Sequence, residues 1–207
     1  MKSAIAVCLC GLTMASTAQT LRTFTSPDGL FRFKYSAILV DCAQTLSASA
    51  STSVSASTLT ACTSQAEMCG DGERAGNTIA CFAYPKERFK DKPTFIAATF
   101  FVAEIDSAKT KKACLKAPQD WKLAGSTGLN GVSFLVFDAG GGNWAGGSQT
   151  GPIFVAFHHG KCFELGLQTA MAHGGYDPEI LERFTKQDDD EIKNRLKQAL
   201  DSFTFTK

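Results

Sequence analysis

The sequence predicts an α+β fold in which an antiparallel β-sheet is flanked by helices and stabilised by disulfides. The first observation is a series of short apolar or alternating segments separated by turn signals, which is typical of antiparallel strands. The second is one long amphipathic segment near the C-terminus, which indicates a helix. The third is an even number of cysteines that follow an N-terminal stretch with the features of a secretion signal.

Residues 1–18 are predicted to be a signal peptide that is removed from the mature chain. Lys2 supplies a minimal positive charge, residues 4–14 are mostly apolar, and residues 15–18 are small enough for cleavage after Ala18. The apolar stretch is shorter than the roughly 20 residues that cross a bilayer, so we expect no membrane span after cleavage. Residues 19–207 are expected to form a single α+β domain that is secreted or periplasmic, in a bacterial envelope.

The charge balance argues against two classes of partner. The full chain carries 21 basic and 20 acidic side chains, and the loss of Lys2 with the signal leaves equal numbers. Nucleic acids and anionic membrane surfaces normally require a basic excess. We therefore expect no nucleic-acid partner.

Six cysteines remain after cleavage, and they are candidates for three disulfides: Cys42, Cys62, Cys69, Cys81, Cys114 and Cys162. No two of them have the C-x-x-C spacing, so neither a redox motif nor a zinc knuckle is indicated. The sequence leaves every pairing of the six open. Four of them lie between positions 42 and 81, around a Ser/Thr/Ala-rich segment near residues 45–64 that we interpret as a surface loop, with modification or partner binding as the alternative.

The first half of the chain begins with a predicted hairpin. The sequence Ser26-Pro27-Asp28-Gly29 is a strong turn signal, and the aromatic side chains that alternate with basic ones after it predict a half-buried strand with an aromatic inner face. Further strands are predicted at residues 78–84 and 94–105. The second of these is apolar on both faces and is expected to be central in the sheet. A short helix is predicted at residues 106–116.

The second half has strands predicted at residues 132–137, 153–158 and 161–167, the last two joined by a two-residue turn at His159-Gly160. Residues 188–190 are interpreted as the N-cap of the C-terminal helix, which is followed by a short strand at residues 202–205. A separate short helix is suggested at residues 177–184. The loose Gly-x-Ser-x-Gly variant at residues 124–128 is assigned to a turn, because no helix follows it as in a hydrolase.

The two ends of the chain resemble those of PsbP-like domains. The resemblance rests on Phe24-x-Ser26-Pro27-Asp28-Gly29-x-Phe31-x-Phe33-x-Tyr35 at the start, and on a helix from Ile192 to Leu200 followed by Ser202-Phe203-Thr204-Phe205 at the end. It implies an antiparallel sheet sandwiched between helices and a binding or scaffolding role, as in a bacterial secreted member of that superfamily, and it brings no catalytic residues. The six cysteines and the Ser/Thr/Ala-rich loop depart from the pattern of the family.

Candidate site residues fall into two groups. Trp144 and Asn143 lie in a glycine-rich segment, residues 140–147, that is a candidate contact loop for a partner. His158, Glu164 and His173 are the candidates for a chemical site. The three histidines do not form a recognisable set of metal ligands, so we expect no metal and no cofactor.

The leading hypothesis is therefore a secreted or periplasmic binding or scaffold module without catalytic activity, whose protein or small-molecule partner the sequence does not identify. The alternative is an extracellular hydrolase or small-ligand-binding protein with a pocket lined by His158, Glu164 or His173. A structural envelope protein without a discrete site is a third option.

Overall fold

The computed structural model describes residues 20–43, 62, 68–69, 74, 76–139, 143–144, 147–173 and 184–206. Within these ranges the strands are β1 (Leu21–Thr25), β2 (Phe31–Ser36), β3 (Val40–Asp41), β4 (Asn77–Ala83), β5 (Phe95–Glu104), β6 (Lys122–Leu129), β7 (Val132–Asp138), β8 (Asn143–Trp144), β9 (Gly147–Thr150), β10 (Pro152–His158), β11 (Lys161–Ala172) and β12 (Thr204–Phe205). The helices are α1 (Lys111–Cys114) and α2 (Lys186–Asp201), and a 3-10 turn spans Lys86–Phe89. The predicted signal peptide, most of the Ser/Thr/Ala-rich loop and residues 177–183 lie outside the described residues.

The strands of the described ranges form two antiparallel sheets. The main sheet has nine strands in the order β3-β4-β5-β11-β10-β7-β6, and β9 also pairs with β11 and carries β8. The small sheet has the order β1-β2-β12. The apolar strand β5 lies between β4 and β11, which confirms its predicted central position, because a strand that is buried on both faces belongs inside a sheet.

The small sheet and α2 cover one face of the main sheet, which we call the aromatic face. The inner side of the predicted hairpin contributes Phe31 and Phe33, both fully or almost fully buried. The ring of Phe33 lies 5.0 Å from that of Phe100 on β5, centroid to centroid. The alternation of buried and exposed residues along β2 confirms the predicted hairpin, and aromatic packing of this kind supplies much of the burial that stabilises the two sheets.

We call the opposite face of the main sheet the cysteine face. Phe101 and Ala103 of β5 point to this side, where they belong to one buried cluster with all six disulfide candidates and Trp121. The short helix α1 also contributes Cys114 to this cluster. The expectation of a sheet flanked by helices was too strong, because helices are few among the described residues.

Two local predictions about the middle of the chain need correction. The helix predicted at residues 106–116 is confined to Lys111–Cys114, where the Thr110 side chain caps it. Residues 124–128 belong to strand β6, which pairs with β7, and not to a turn. β6 is mostly exposed and lies at the sheet edge, so it lacks the apolar alternation by which strands are recognised.

The N-cap of α2 is also earlier than predicted. The cap is Thr185, whose hydroxyl accepts a hydrogen bond from the backbone N–H of Asp188, while the Asp188 carboxylate accepts one from the backbone N–H of Thr185. This reciprocal arrangement is a capping box. Asp188 therefore lies inside the first turn, where its charge still favours the helix dipole.

Candidate functional site

The structure does not bring His158, Glu164 and His173 together. His158 is opposite Lys161 in the β10–β11 hairpin, and its ring lies 4.1 Å from that of Phe205 on the aromatic face. Glu164 is opposite Val155 and is buried on the cysteine face. His173 follows the far end of β11. Since successive residues of a strand point to opposite faces, His158 and Glu164 are separated by the sheet.

Trp144 and Asn143 form strand β8, which extends the main sheet beyond β9. Asn143 is opposite Ser148, and Trp144 is opposite Gly147. Gly147 in turn is opposite Ala172 at the end of β11. Strand β8 is thus placed at the same end of the sheet as His173, and its backbone is joined to β11 through β9. The rest of the candidate contact loop, residues 140–142 and 145–146, lies outside the described residues.

The six cysteines form three disulfides, as the candidates predicted. The pairs are Cys42–Cys62, Cys69–Cys81 and Cys114–Cys162, with Cα–Cα distances of 5.2, 5.5 and 5.4 Å. These separations lie within the usual range for a disulfide. Disulfides of this number are compatible with an extracellular or periplasmic location.

Glu164 has a buried partner that the sequence did not indicate. Arg74 Nη1 lies 2.8 Å from Glu164 Oε1, and the two side chains are 10% and 4% exposed. The two atoms form an ion pair by distance but are not aligned for a hydrogen bond. Arg74 Nη2 donates a hydrogen bond of 2.7 Å to the carbonyl oxygen of Cys114, next to the Cys114–Cys162 disulfide. Arg74 has no periodic pattern around it that would have predicted this contact.

The surroundings of Glu164 change its acidity. Burial raises the pKa of Glu164 to about 7. The positive charge of the neighbouring Arg74 guanidinium lowers this pKa, but by less than burial raises it. The Glu164 carboxyl is buried on the cysteine face, and Arg74 is the charged neighbour that affects its pKa among the described residues. The pair therefore fits a structural contact between β11 and α1 better than general acid–base chemistry.

An apolar cavity lined by described residues lies between α2 and the aromatic face. Its volume is about 560 Å³, within the range of small-molecule sites, about 300–1,000 Å³. Phe154 of β10 and Leu167 of β11 form part of the sheet side, and Leu196 and Leu200 form part of the helix side. The complete lining is Ala124, Phe137, Asp138, Thr150, Gly151, Pro152, Phe154, Leu167, Thr169, Lys193, Leu196, Lys197 and Leu200.

The charged side chains of the cavity lie on its helix side and at one sheet position. Lys193 and Lys197 are one turn apart on α2, and their side chains are 62% and 58% exposed. Each forms an ion pair of 2.6 Å along the helix, with Asp189 and Asp201 respectively. Asp138 is the one acidic residue of the lining. The cavity thus combines apolar walls with two exposed ammonium groups.

The turn between β9 and β10 fixes one wall of this cavity. Gly151 has φ +150°, and a Cβ atom there would lie 1.8 Å from the carbonyl oxygen of Leu167. Gln168 Nε2 donates a hydrogen bond of 3.2 Å to the Gly151 carbonyl oxygen. The dipeptide Gly151-Pro152 is a turn signal that could have been recognised in the sequence. The cavity itself could not, because its lining comes from distant segments.

A second, more polar cavity of about 450 Å³ lies between the β1–β2 turn and the ends of β4, β5 and β11. Lys161 Nζ is 2.6 Å from Glu104 Oε2 and 3.7 Å from Asp28 Oδ2. Burial opposes ionisation of Asp28, but hydrogen bonds from Ser26 and the Leu30 backbone, together with Lys161, hold its pKa below the ordinary value. The lysine charge is already matched here, so the arrangement provides a surface ion-pair network.

None of the helices among the described residues combines the length and apolar character needed to cross a membrane. No three His, Cys, Asp or Glu side chains in the described ranges are grouped so that they could hold a metal ion.

The fold and the disulfides define a class: a mostly antiparallel α+β protein with few helices and three disulfides. Among solved structures, the chain is similar to cyanobacterial PsbP (CyanoP) from Synechocystis sp. PCC 6803, with 12% identity and a TM-score of 0.42 over 95% of this chain and 98% of that one. It is also similar to the Ran-binding protein Mog1p of Saccharomyces cerevisiae, with 9% identity and a TM-score of 0.40 over 91% and 96% of the two chains. No protein family and no curated protein matches the sequence.

The likeness to PsbP is the one that the two ends of the sequence indicated. At these identities and TM-scores it carries no argument about function. What the chain does has to be argued from its own site.

Proposed function

We propose that the protein is a secreted or periplasmic binding module without catalytic activity, and that its ligand site is the cavity between α2 and the main sheet. The observation that carries the proposal is the cavity itself, with a volume of about 560 Å³ and mostly apolar walls. Cavities of this kind, with a small number of polar groups at defined positions, are typical of small-ligand sites. The disulfides support the location, because they persist in oxidising compartments.

The hydrolase alternative has less support. A hydrolytic site needs a nucleophile or activated water within hydrogen-bond reach of a base. His158 lies on the aromatic face and Glu164 on the cysteine face, while His173 is at the other end of β11. The Glu164 carboxylate already forms an ion pair with Arg74. The described residues therefore favour binding over chemistry.

The proposal is tested by filling the cavity. Leu167 lines it from β11, so Leu167→Trp replaces open space with an indole ring. We expect the unaltered protein to increase the fluorescence of the neutral probe N-phenyl-1-naphthylamine in a saturable way, and Leu167→Trp to weaken that binding at least tenfold. Leu21→Trp is the matched control, because Leu21 is 45% exposed on β1 and lies outside the cavity.

Circular dichroism and thermal unfolding establish that both tryptophan variants are folded. If the unaltered protein does not bind the probe, or if Leu167→Trp binds it as tightly as Leu21→Trp does, the cavity is not the ligand site.

We also propose that Trp144 and Asn143 contact a larger partner. The observation that supports this is the pairing of β8 with β9, whose last residue, Thr150, lines the cavity. A partner bound at β8 would therefore lie beside the ligand site. Pull-downs with Trp144→Ala from the secreted fraction of the native host test the idea: loss of a partner that the unaltered protein retains supports it, and an unchanged set of partners removes it.

A further inference from the structure

We infer that the ligand of the α2 cavity is a monomeric anionic amphiphile, with a single aliphatic chain in the cavity and a carboxylate-like head group at Lys193 and Lys197. The inference rests on the proposed binding function of the same cavity and adds the chemical class of the ligand. Three observations support it: the apolar walls of the cavity, the two lysines among its charged lining residues, and the solvent exposure of the ion pairs that these lysines form.

The walls fit an aliphatic chain. Phe154 and Leu167 on the sheet side and Leu196 and Leu200 on the helix side leave the interior apolar. The uncharged polar side chains of the lining are Thr150 and Thr169. A ligand with charges along its length would lose hydration in such a cavity without gaining partners, whereas an aliphatic chain gains from the transfer.

Two of the three charged residues of the lining are cationic, which favours an anion. Lys193 and Lys197 lie at positions i and i+4 of α2, so their Cβ atoms are about 5–6 Å apart on one side of the helix. Asp138 of β7 is the one carboxylate among the lining residues. Long lysine stems can pack along apolar walls and keep their ammonium groups in water, where a ligand head group would lie.

The two lysines can exchange their present partners at little cost. Their ion pairs with Asp189 and Asp201 lie on the helix surface, where the lysine side chains are 62% and 58% exposed. Exposed ion pairs between neighbouring helix turns contribute little to stability. A head group that is fixed in place by a buried aliphatic chain would compete well with these flexible carboxylates.

A free amphiphile fits better than a bilayer surface. The mature chain is close to neutral, and binding to an anionic bilayer normally requires a cluster of basic side chains. A concave volume of about 560 Å³ is also suited to one chain and not to a plane of lipids.

The test compares ligands that differ only in the head group. The mature protein is saturated with N-phenyl-1-naphthylamine, which is then displaced with decanoate, 1-decanol or decyltrimethylammonium, all below their aggregation limits. We expect decanoate to displace the probe at a concentration about fivefold lower than that of 1-decanol. The cation should be the weakest competitor, and the advantage of decanoate should decrease at high salt.

Lys193→Gln combined with Lys197→Gln should abolish the advantage of decanoate and leave 1-decanol unchanged. Lys186→Gln is the matched control, because Lys186 forms the same kind of pair with Asp190, at 2.6 Å on the same helix, but does not line the cavity. This control should retain the full advantage of decanoate.

The outcomes separate the two proposals. If decanoate and 1-decanol compete equally with the unaltered protein, or if the advantage survives in the double glutamine variant, the anionic class is wrong, while loss of the probe in Leu167→Trp still supports the cavity. If none of the three ligands displaces a bound probe, the amphiphile is wrong and the cavity stands. If the unaltered protein binds no probe, the proposed function itself fails.

Discussion

Glu164 and Arg74 form an ion pair on the cysteine face of the main sheet. Both side chains are almost completely buried, and Arg74 also holds the backbone at Cys114. Removing charges from water is costly, and a pair of this kind compensates only while both partners are present. The contact therefore ties the position of β11 to that of α1 and makes the stability of the protein sensitive to pH.

The first prediction concerns that pH dependence. The ordinary pKa of Glu164 is 4.5, and burial raises it to about 7 in the folded protein. Between these values the folded state binds more protons than the unfolded state, so the stability contributed by the protonated carboxyl is complete below pH 4.5 and decreases as the pH rises towards 7. We expect a decrease of about 3 kcal/mol in the free energy of unfolding across that window.

Urea unfolding at pH 4, 5, 6 and 7 measures the decrease, and Glu164→Gln should remove most of it. Glu87→Gln changes an exposed carboxylate and should keep the slope of the unaltered protein. The same slope in all three proteins would show that Glu164 does not titrate in this range.

Alternation along β11 is enough to place Glu164 on the same side as Cys162, opposite Val155, and this placement is confirmed. Arg74 could not be predicted. It lies outside any periodic segment, five positions after Cys69, which the Cys69–Cys81 disulfide joins to β4, and its contact with Glu164 is a tertiary one.

Helix α2 is the element that the sequence predicted best. The helix predicted from Ile192 to Leu200 is present, and its buried residues, Ile192, Leu196, Ala199 and Leu200, fall on one face at helical spacing. The Tyr84 hydroxyl donates a hydrogen bond of 3.0 Å to Glu191, and burial together with this bond raises the pKa of Tyr84 to about 12. The Lys92–Asp188 ion pair holds the first turn of the helix against the sheet as well.

The second prediction belongs to the turn between β9 and β10. Gly151→Ala places a Cβ atom 1.8 Å from the Leu167 carbonyl oxygen, so the backbone has to move. Gly125→Ala is a close control, because Gly125 has φ +151° against +150° at Gly151 but open space where its Cβ would lie. The two variants share the backbone strain and differ in the collision.

We expect Gly151→Ala to lower the free energy of unfolding by about 2 kcal/mol more than Gly125→Ala does, as overpacking typically does. Urea unfolding of both variants at one pH gives the difference. Equal losses would mean that the turn relaxes away from β11 and that this wall of the cavity is not fixed.

At the scale of the whole molecule, two disulfides tie other parts of the chain to strands of the main sheet. Cys69–Cys81 reaches β4 and Cys114–Cys162 reaches β11, and all six cysteines belong to one buried cluster with Phe101 and Ala103 of β5. Cross-links of this kind stabilise the fold because they limit the freedom of the joined segments in the unfolded chain.

The third prediction follows from the lengths of the closed loops. Cys114–Cys162 spans 48 positions and Cys69–Cys81 spans 12. Chain entropy alone predicts losses of about 4 and about 3 kcal/mol when each pair is replaced by alanines. Denaturant unfolding of the two double variants measures both, and equal or reversed losses would show that packing of the sulfur atoms, rather than loop closure, dominates.

The sequence by itself determined the local structure of this protein: the hairpin at Pro27–Gly29, the turn at His159-Gly160, the central strand β5, helix α2 and the cysteines that pair. These features depend on neighbours within a few residues, on alternation or on helical spacing, and such patterns can be recognised in the sequence alone.

Tertiary structure alone decided the disulfide pairing, the strand at β6, the Arg74–Glu164 contact and the cavity beneath α2. Each of these depends on segments that are far apart in the chain and adjacent only after the strands have paired. The same strand pairing separates His158 from Glu164, which lie six positions apart in sequence but on opposite sides of the sheet.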